Sequence, residues 1–366
     1  MDLERQVDEV KTDCVYFRGY RPCIPHKETG VHCDDCSNYK KINKKILILK
    51  LGAAGEVIRN TPLLRKIKEQ YPNSRIFWLT EYPDLIPKND VFKIYDFNQR
   101  EVELIRDVEF DILYSLDKHE EIGALANQIK AKVKKGFSQK DGVIIPFDND
   151  ANHKWITGIY DDAMKKNKKH YVEELFNICG FKFNNEKYML PEYKVPNVEL
   201  DKSKPIAALN TCCGNLWKPR NYPNDKWVEV AKGLIKKDYE VMIVGGPEGD
   251  EKNKEISKKS GAKYFGTFPY TDFIGLINHA DIVVTPVTFA FHVAIGLEKK
   301  VVLLNNVFNK NEFYMYGKGT IIEPDLDCLG CYKGDFDNKC PVKNCMDLIS
   351  PEQIINEVEK FEIYKK

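Results

Sequence analysis

Short aliphatic runs separated by helical periodicity recur along most of the chain. The run Lys45-Ile46-Leu47-Ile48-Leu49-Lys50 is apolar without alternation, the pattern of a strand buried on both faces of a parallel sheet. A helical pattern follows from Val57 to about Gln70, with Ile58, Leu63, Leu64 and Ile67 near one face. Pro62 suits a first turn better than a helix middle, so a helix start near Thr61 is predicted. Further strands are predicted at Arg75–Thr80, Lys93–Phe97 and Asp111–Leu116.

The pattern weakens between Phe147 and Tyr193. His153–Lys169 is basic and polar, and Tyr171–Cys179 reads as a helix. Pro191, Pro196 and Pro205 surround Tyr193–Lys204, which reads as an interdomain linker. A second series then begins with a strand at Ile206–Asn210. An amphipathic helix follows at Asp225–Lys237, with Trp227, Val230, Ala231 and Leu234 on one face. Strands are predicted at Glu240–Val244, Asp281–Thr285 and Lys300–Asn305, and helices at Asp250–Ser260, Thr271–Asn278 and Ala290–Leu297. Alternation at this spacing predicts parallel α/β sheets. The two series echo each other only in being α/β, and no solenoid-length repeat is present.

A chain of 366 residues accommodates two domains with extensions. The boundaries read as a Cys-rich N-terminal extension at 1–43, one α/β domain at 44–195, a second at 196–325, and a Cys-rich loop with a terminal helix at 326–366. The 56 basic and 55 acidic side chains leave a net charge of +1, so nothing global attracts nucleic acid, which is not an expected partner. Met1–Arg5 is charged and lacks the apolar segment of a secretory signal. The longest apolar stretch, Ala280–Leu297, is interrupted by Asp281, Pro286 and His292, which predicts a buried strand and helix rather than a membrane span. A cytoplasmic location is therefore expected, and a lipid substrate would be met at the membrane surface.

Two strand-to-helix loops invite a chemical reading. Lys50-Leu51-Gly52-Ala53-Ala54-Gly55-Glu56 follows the first strand, and the small residues Gly52 and Gly55 let backbone approach a ligand beside free amides. A tight turn with no ligand accounts for the glycines nearly as well, and no Gly-Lys-Ser/Thr completes a P-loop. Thr285-Pro286-Val287-Thr288-Phe289-Ala290-Phe291-His292 lies past a strand's carboxyl end, where open parallel sheets bind ligands. The helix start at Thr288 favours a diphosphate through its dipole and His292 offers a donor, the alternative being a histidine buried on an apolar helix.

Eleven cysteines are many for a reducing compartment. Cys328-x2-Cys331-x8-Cys340-x4-Cys345 supplies four thiolates, enough to hold zinc or a single iron as a structural ion. Cys14, Cys23, Cys33 and Cys36 form a second candidate set, with His26 and His32 as substitutes. That segment is too short to order itself without a staple. A zinc ribbon for nucleic acid is the rival, opposed by the interleaved Glu28, Asp34 and Asp35. Unliganded thiols are the plain alternative for the carboxyl-terminal set.

Together several segments resemble the family 9 glycosyltransferases, the ADP-heptose:lipopolysaccharide heptosyltransferase family. Ile46–Leu49, Gly52–Glu56, Thr61-Pro62 and Tyr71-Pro72 are similar to its opening strand, Gly-rich turn and helix. Arg220-Asn221-Tyr222-Pro223 resembles its Lys-Arg-Trp-Pro segment, Val244-Gly245-Gly246-Pro247-Glu248 its Gly-Gly-Pro strand end, and His292-Val293-Ala294 its His-Leu-Ala. The order agrees over residues 45 to 305.

The resemblance implies a GT-B fold of two Rossmann-like domains facing a cleft, the acceptor mainly on the first and the nucleotide-sugar mainly on the second. It implies inverting transfer of a sugar, heptose being the first candidate, with no catalytic metal, to a cell-envelope glycan or lipid-linked acceptor at the inner membrane surface. Glu56 matches the family's catalytic Asp and would be the base; Arg220 would face the leaving diphosphate, with Lys218 nearby. Gly245, Glu248, Thr288 and His292 fall on the donor side, and Asp250 or Glu251 could align in place of Glu248. The resemblance also extends to cysteines near the carboxyl terminus, which some protein-glycosylating relatives use to bind iron. Two departures stand out: Glu56 lengthens the acidic arm by a methylene, and Val287 and Phe289 replace the family's Asp and Gly. The rivals are a non-catalytic sugar-nucleotide-binding scaffold and a GT-B-type epimerase.

Overall fold

Every long aliphatic run becomes a strand of one of two six-stranded sheets. A computed structural model describes residues 7–214, 218–331 and 344–361. The chain divides into two units. The first holds the residues up to Leu51 together with Leu63–Pro83 and Lys88–Asp148; the second holds Gly52–Pro62, Asp84–Pro87 and the residues from Asn149 onward. This division departs from the 195/196 boundary read from the sequence, because Gly52–Pro62 and everything from Asn149 group with the second unit.

The first unit contains β1 (Lys45–Leu49), β2 (Arg75–Thr80), β3 (Lys93–Asp96), β4 (Phe110–Ser115), β5 (Ala131–Lys140) and β6 (Val143–Pro146), in the order β3-β2-β1-β4-β5-β6. All pairs are parallel except the β5–β6 hairpin. In β1, Ile46 through Leu49 are buried, as a central strand covered on both faces requires. At its carboxyl end Lys50 and Asp117 form a buried ion pair at 3.4 Å, and Asp117 also accepts from the Leu51 amide at 3.0 Å. Those bonds satisfy charges that would otherwise be costly to bury.

The amino-terminal extension, with the short helix α1 (Ile24–Thr29), is also part of this unit. Arg75 donates to the carbonyls of Cys14 (2.7 Å) and Phe17 (2.8 Å), and Arg18 donates to the Phe92 carbonyl at 2.6 Å. Both guanidinium groups lie 4.2 Å from the Phe92 ring centre. The extension is thus stapled by arginine, backbone and aromatic contacts.

The second unit contains β7 (Ile206–Asn210), β8 (Glu240–Val244), β9 (Lys263–Tyr264), β10 (Ile282–Pro286), β11 (Lys300–Leu304) and β12 (Gly319–Ile322), all parallel, in the order β12-β11-β10-β7-β8-β9. Numbered from its own first strand, each sheet reads 3-2-1-4-5-6, the dinucleotide-fold order. The two halves therefore share a topology, a closer kinship than their sequence patterns suggest. Its core joins Leu209, Trp227, Leu234, Val284 and Val302 to Met346, Ile349, Ile354 and Val358 from the carboxyl-terminal segment.

The helix expected up to Gln70 is two: α2 (Ala54–Asn60) and α3 (Pro62–Gln70), each in a different unit. The break falls at Thr61, whose hydroxyl returns to the Ile58 carbonyl at 2.7 Å, with Pro62 opening the next helix. The remaining helices are α4 (Gln99–Arg106), α5 (Glu120–Gln128), α6 (Asn152–Ile159), α7 (Asp161–Lys166), α8 (Tyr171–Ile178), α9 (Asn224–Lys236), α10 (Asp250–Ser260), α11 (Tyr270–Asn278), α12 (Phe289–Gly296) and α13 (Pro351–Glu359).

The proline-marked segment is a second difference. Residues 181–205 form no helix or strand, yet the segment packs within the second unit rather than running free. A side chain on Gly275 of α11 would meet the Lys194 carbonyl oxygen at 1.8 Å, and one on Gly296 of α12 would meet Leu190 at 2.8 Å. Glycine at those two positions lets the extended segment lie against the helices.

Candidate active site

The candidate residues of the second unit fall into two neighbouring clusters joined by α12. The first lies at the carboxyl ends of β7 and β10, the position where strand order reverses and open α/β sheets bind ligands. Asn210 ends β7. Its side-chain amide donates to the hydroxyls of Thr285 and Thr288 and to the Cys212 carbonyl, each at 3.0 Å. Thr288 caps α12 by accepting from the Ala290 amide at 3.2 Å.

Arg220 closes the 3-10 turn Lys218–Arg220 and is partly buried. Its guanidinium donates to the Val287 carbonyl and, at 2.7 Å, to the Cys213 carbonyl. Arg220 thus ties the loop after β7 to the loop after β10. Burial lowers its pKa, opposed by Cys213. The Lys218 side chain lies outside what the structure describes.

The β8 end completes this cluster. Gly245 leaves no room for a side chain, since a Cβ there would meet Asn253 at 2.7 Å and Cys212 at 3.4 Å. Glu248 is exposed on the turn Pro247–Gly249. Asp250 instead bonds Tyr264 at 2.8 Å and Lys254 at 2.7 Å, and Glu251 pairs with Lys254, so both alternatives to Glu248 are engaged elsewhere. Lys252 donates to the Thr211 carbonyl at 2.9 Å, and burial lowers its pKa. Burial also pushes the Cys212 and Cys213 thiols up, which keeps them protonated and unreactive.

The second cluster is built on α2 and its neighbours. Glu56 lies in the first turn of α2, partly exposed, and its carboxylate is paired with Arg59 one turn on. The Arg59 guanidinium lies 3.3 Å from the Tyr171 ring centre. Burial works against its charge, but Glu56, Tyr171 and Glu312 together hold its pKa above the ordinary value. Asn60 fixes the same helix, donating to the Glu56 carbonyl and to the Tyr171 hydroxyl at 2.6 and 3.2 Å.

Farther along, Glu174 is 2% exposed and accepts from His153 at 3.0 Å, Lys154 at 2.7 Å and Asn167 at 3.2 Å. A cavity of about 480 Å³ opens here, lined among others by Lys154, Lys169, Glu174 and Phe181.

His292 is 5% exposed. Its ring packs on Gly55, and Nδ1 lies 3.5 Å from the Tyr188 hydroxyl. Burial first, then Arg59, pushes its pKa down to about 3. The neutral ring packs between α12 and α2. Of the replaced family positions, Val287 offers its carbonyl to Arg220, and Phe289 packs edge-on to Tyr270 with ring centres 5.0 Å apart. Gly52 and Gly55 are both buried, and Ala53 gives α2 no side-chain cap.

Among the described residues no three or more His, Cys, Asp or Glu side chains gather as a metal site. Cys14, Cys23, Cys33 and Cys36 are free thiols, with Cys14 buried in the bridge to Lys41. The arginine staples hold their segment. Cys328, Cys331 and Cys345 form no disulfide among the described residues, and Cys340 lies outside them. The Cys345 sulfur accepts from Asn306 Nδ2 at 3.0 Å, and that amide also donates to the Pro219 carbonyl at 2.7 Å.

Sequence reasoning missed Arg59, Tyr171 and Tyr188. Arg59 at three residues past Glu56 carried a visible signal, because that spacing puts both charges on one helix face. Tyr171 and Tyr188 carried none, since their approach depends on tertiary packing.

Residues 100–323 match the profile of glycosyltransferase family 9 (heptosyltransferase). The fold is similar to that of a glycosyl transferase family 9 protein from Veillonella parvula DSM 2008, with a TM-score of 0.64 and 17% identity over 87% of this chain and 97% of that one. It is similar to the ADP-heptose lps heptosyltransferase II of E. coli, with a TM-score of 0.61 and 15% identity over 86% and 98% of the two chains. A third likeness is to TibC, an iron-containing dodecameric glycosyltransferase of enterotoxigenic E. coli H10407, with a TM-score of 0.56 and 13% identity over 87% and 76%. No curated protein matches by sequence. The likeness to these structures shows a GT-B type of fold.

Proposed function

The chain belongs to glycosyltransferase family 9, and from that premise we propose that it moves a sugar from a nucleotide-sugar to a glycan or lipid-linked acceptor with inversion at the anomeric carbon. The observation that carries this reading is the Arg220 tie across the carboxyl ends of β7 and β10, which puts a cation where such sheets receive a diphosphate. ADP-heptose is the donor named for the E. coli relative, and a heptose donor is the first candidate here.

In this reading the Glu56 carboxylate takes the proton of the acceptor hydroxyl. The acceptor oxygen forms its bond to the anomeric carbon as the bond from that carbon to the diphosphate oxygen breaks. The leaving nucleoside diphosphate carries the electron pair, and Arg220 stabilises its charge. Thr288 and Gly245 belong to the donor side in this reading, and Glu248, exposed on its turn, is the proposed contact to the ribose hydroxyls. The acceptor is part of the cell envelope, met at the inner membrane surface by a cytoplasmic enzyme.

The test is release of nucleoside diphosphate from a panel of nucleotide-sugars, with and without envelope glycans, and the anomeric configuration of the product. Acceptor-dependent release with inversion supports the reading. Donor binding without release under any acceptor favours a scaffold, and release without acceptor points to an epimerase or hydrolase.

A structural zinc or iron on Cys328, Cys331, Cys340 and Cys345 belongs to the same reading, with no part in the chemistry. Ligand type and the N–H donated to Cys345 support it, since such bonds suit an anionic sulfur. One equivalent in elemental analysis is expected; none in aerobic and anaerobic preparations alike overturns it.

A further inference from the structure

We infer that the surface formed by α6 and the turn into α7 docks this protein on an anionic lipid bilayer. No residue of helix α6 is fully buried; Lys154, Trp155 and Thr157 are partly covered, and the rest of the helix is exposed. Ile156, Ile159 and Tyr160 are 37%, 51% and 56% exposed. Their spacing at i, i+3 and i+4 puts them on one face of the helix end. Other large apolar side chains left exposed among the described residues are scattered, and no other stretch of five positions carries three.

Charge decides what covers this face. The whole chain is nearly balanced at +1, but residues 151 to 170 carry five lysines against two aspartates. Lys165, Lys166 and Lys168 are exposed. Lys166 pairs loosely with Asp162 at 3.4 Å, whereas Lys165 and Lys168 make no ion pair among the described residues. Apolar tips beside unpaired lysines match a bilayer whose apolar interior lies beneath anionic headgroups. A protein groove would match the isoleucines but gain little from lysines that remain in water. No helix among the described residues is long and apolar enough to cross a membrane, so contact through this face would be interfacial. Each lysine near an anionic surface strengthens binding roughly fivefold, so the two without an ion pair supply on the order of twentyfold.

The inference deepens the proposed reading, in which the acceptor is met at the inner membrane surface, but the vesicle assay uses neither donor nor acceptor, so its failure and that of the transfer assay are distinguishable. Purified full-length protein would be sedimented with phosphatidylcholine vesicles and with vesicles containing phosphatidylglycerol. Binding only to the second, weakened by salt, is expected. Ile156→Asp with Ile159→Asp, and separately Lys165→Glu with Lys168→Glu, should each lower it at least about tenfold. The positions are exposed, and circular dichroism with thermal melting checks that both variants stay folded. Equal binding to both vesicle types, or binding unchanged in both variants, overturns the inference. So does self-association abolished by the isoleucine changes, which would assign the face to a second copy.

Discussion

Gly55 and His292 interlock: a Cβ built on Gly55 of α2 would lie 2.6 Å from Cδ2 of the imidazole on α12. Both residues are buried, and the histidine is held in turn beside Tyr188. Gly55→Ala should therefore push the two helices apart and destabilise the protein by about 1–3 kcal/mol, the usual cost of overpacking. Chemical denaturation measures the loss. Combining Gly55→Ala with His292→Ala should recover part of it, because the ring the methyl strikes is then gone. Additive losses would show that the contact is not the cause.

The same histidine makes stability depend on pH. Burial and the Arg59 charge depress its folded pKa to about 3, below the ordinary value of 6.5. Between those values the unfolded chain binds a proton that the folded chain does not, so stability falls as pH drops from about 6.5 toward 3. One such group contributes a slope of at most about 1.4 kcal/mol per pH unit. Glu56 opposes the shift, and Tyr188 lies near without carrying charge in this range. His292→Gln should flatten the dependence between pH 6 and about 4.5 relative to wild type, as read from unfolding free energies. An unchanged slope would mean that the ring is protonated in the folded state.

The aliphatic strands were legible almost to the residue, because a strand buried on both faces must be continuously apolar. The β5–β6 hairpin was not. Its first strand, from Ala131 to Lys140, is rich in lysine and partly exposed, so no aliphatic run marks it. The Asp141-Gly142 turn, with φ of 51° and 83°, was its one local signal. The shared strand order could not be read, since it is set by pairing between distant segments. Proline spacing marked 191–205 as irregular but could not reveal that Gly275 and Gly296 receive it. In the site, motifs reached Glu56 and Arg220 through resemblance; Arg59 was signalled only by its spacing from Glu56, and its aromatic seat on Tyr171 emerged from packing.

Arg220 has two jobs that substitution should separate. It bonds two loop carbonyls, and it is the cation proposed to face the diphosphate. Arg220→Ala should weaken donor binding and slow transfer together, by about 10²–10³ in rate. Arg220→Lys restores charge but lacks the planar fork that reaches Val287 and Cys213 at once, so it should recover only part of the rate. Calorimetry with the donor and steady-state kinetics check both. Wild-type affinity and rate in the alanine variant would remove Arg220 from the site, leaving Lys218 as the next cation to test.

Glu56 and Arg59 give the sharpest test of the chemistry. A general base works only if its carboxylate is aimed; for the proposed base Glu56 the aim would come from its pairing with Arg59, which lies 3.3 Å from the Tyr171 ring centre. Glu56→Gln keeps the shape and removes the proton acceptor. It should cut kcat by about 10²–10⁴ while donor affinity stays near wild type. Arg59→Gln leaves the base present but unaimed, so kcat should fall by less, on the order of tenfold, again with donor affinity retained. Arg59→Lys should recover part of that loss, since it supplies charge without the flat stacking surface. The pairing also predicts non-additivity: once Glu56 is glutamine, removing Arg59 has little further effect on kcat, because residues acting as a unit do not contribute independently. Full multiplicative losses in the double variant would show that Arg59 acts elsewhere, and undiminished turnover in Glu56→Gln would remove the carboxylate from the reaction altogether.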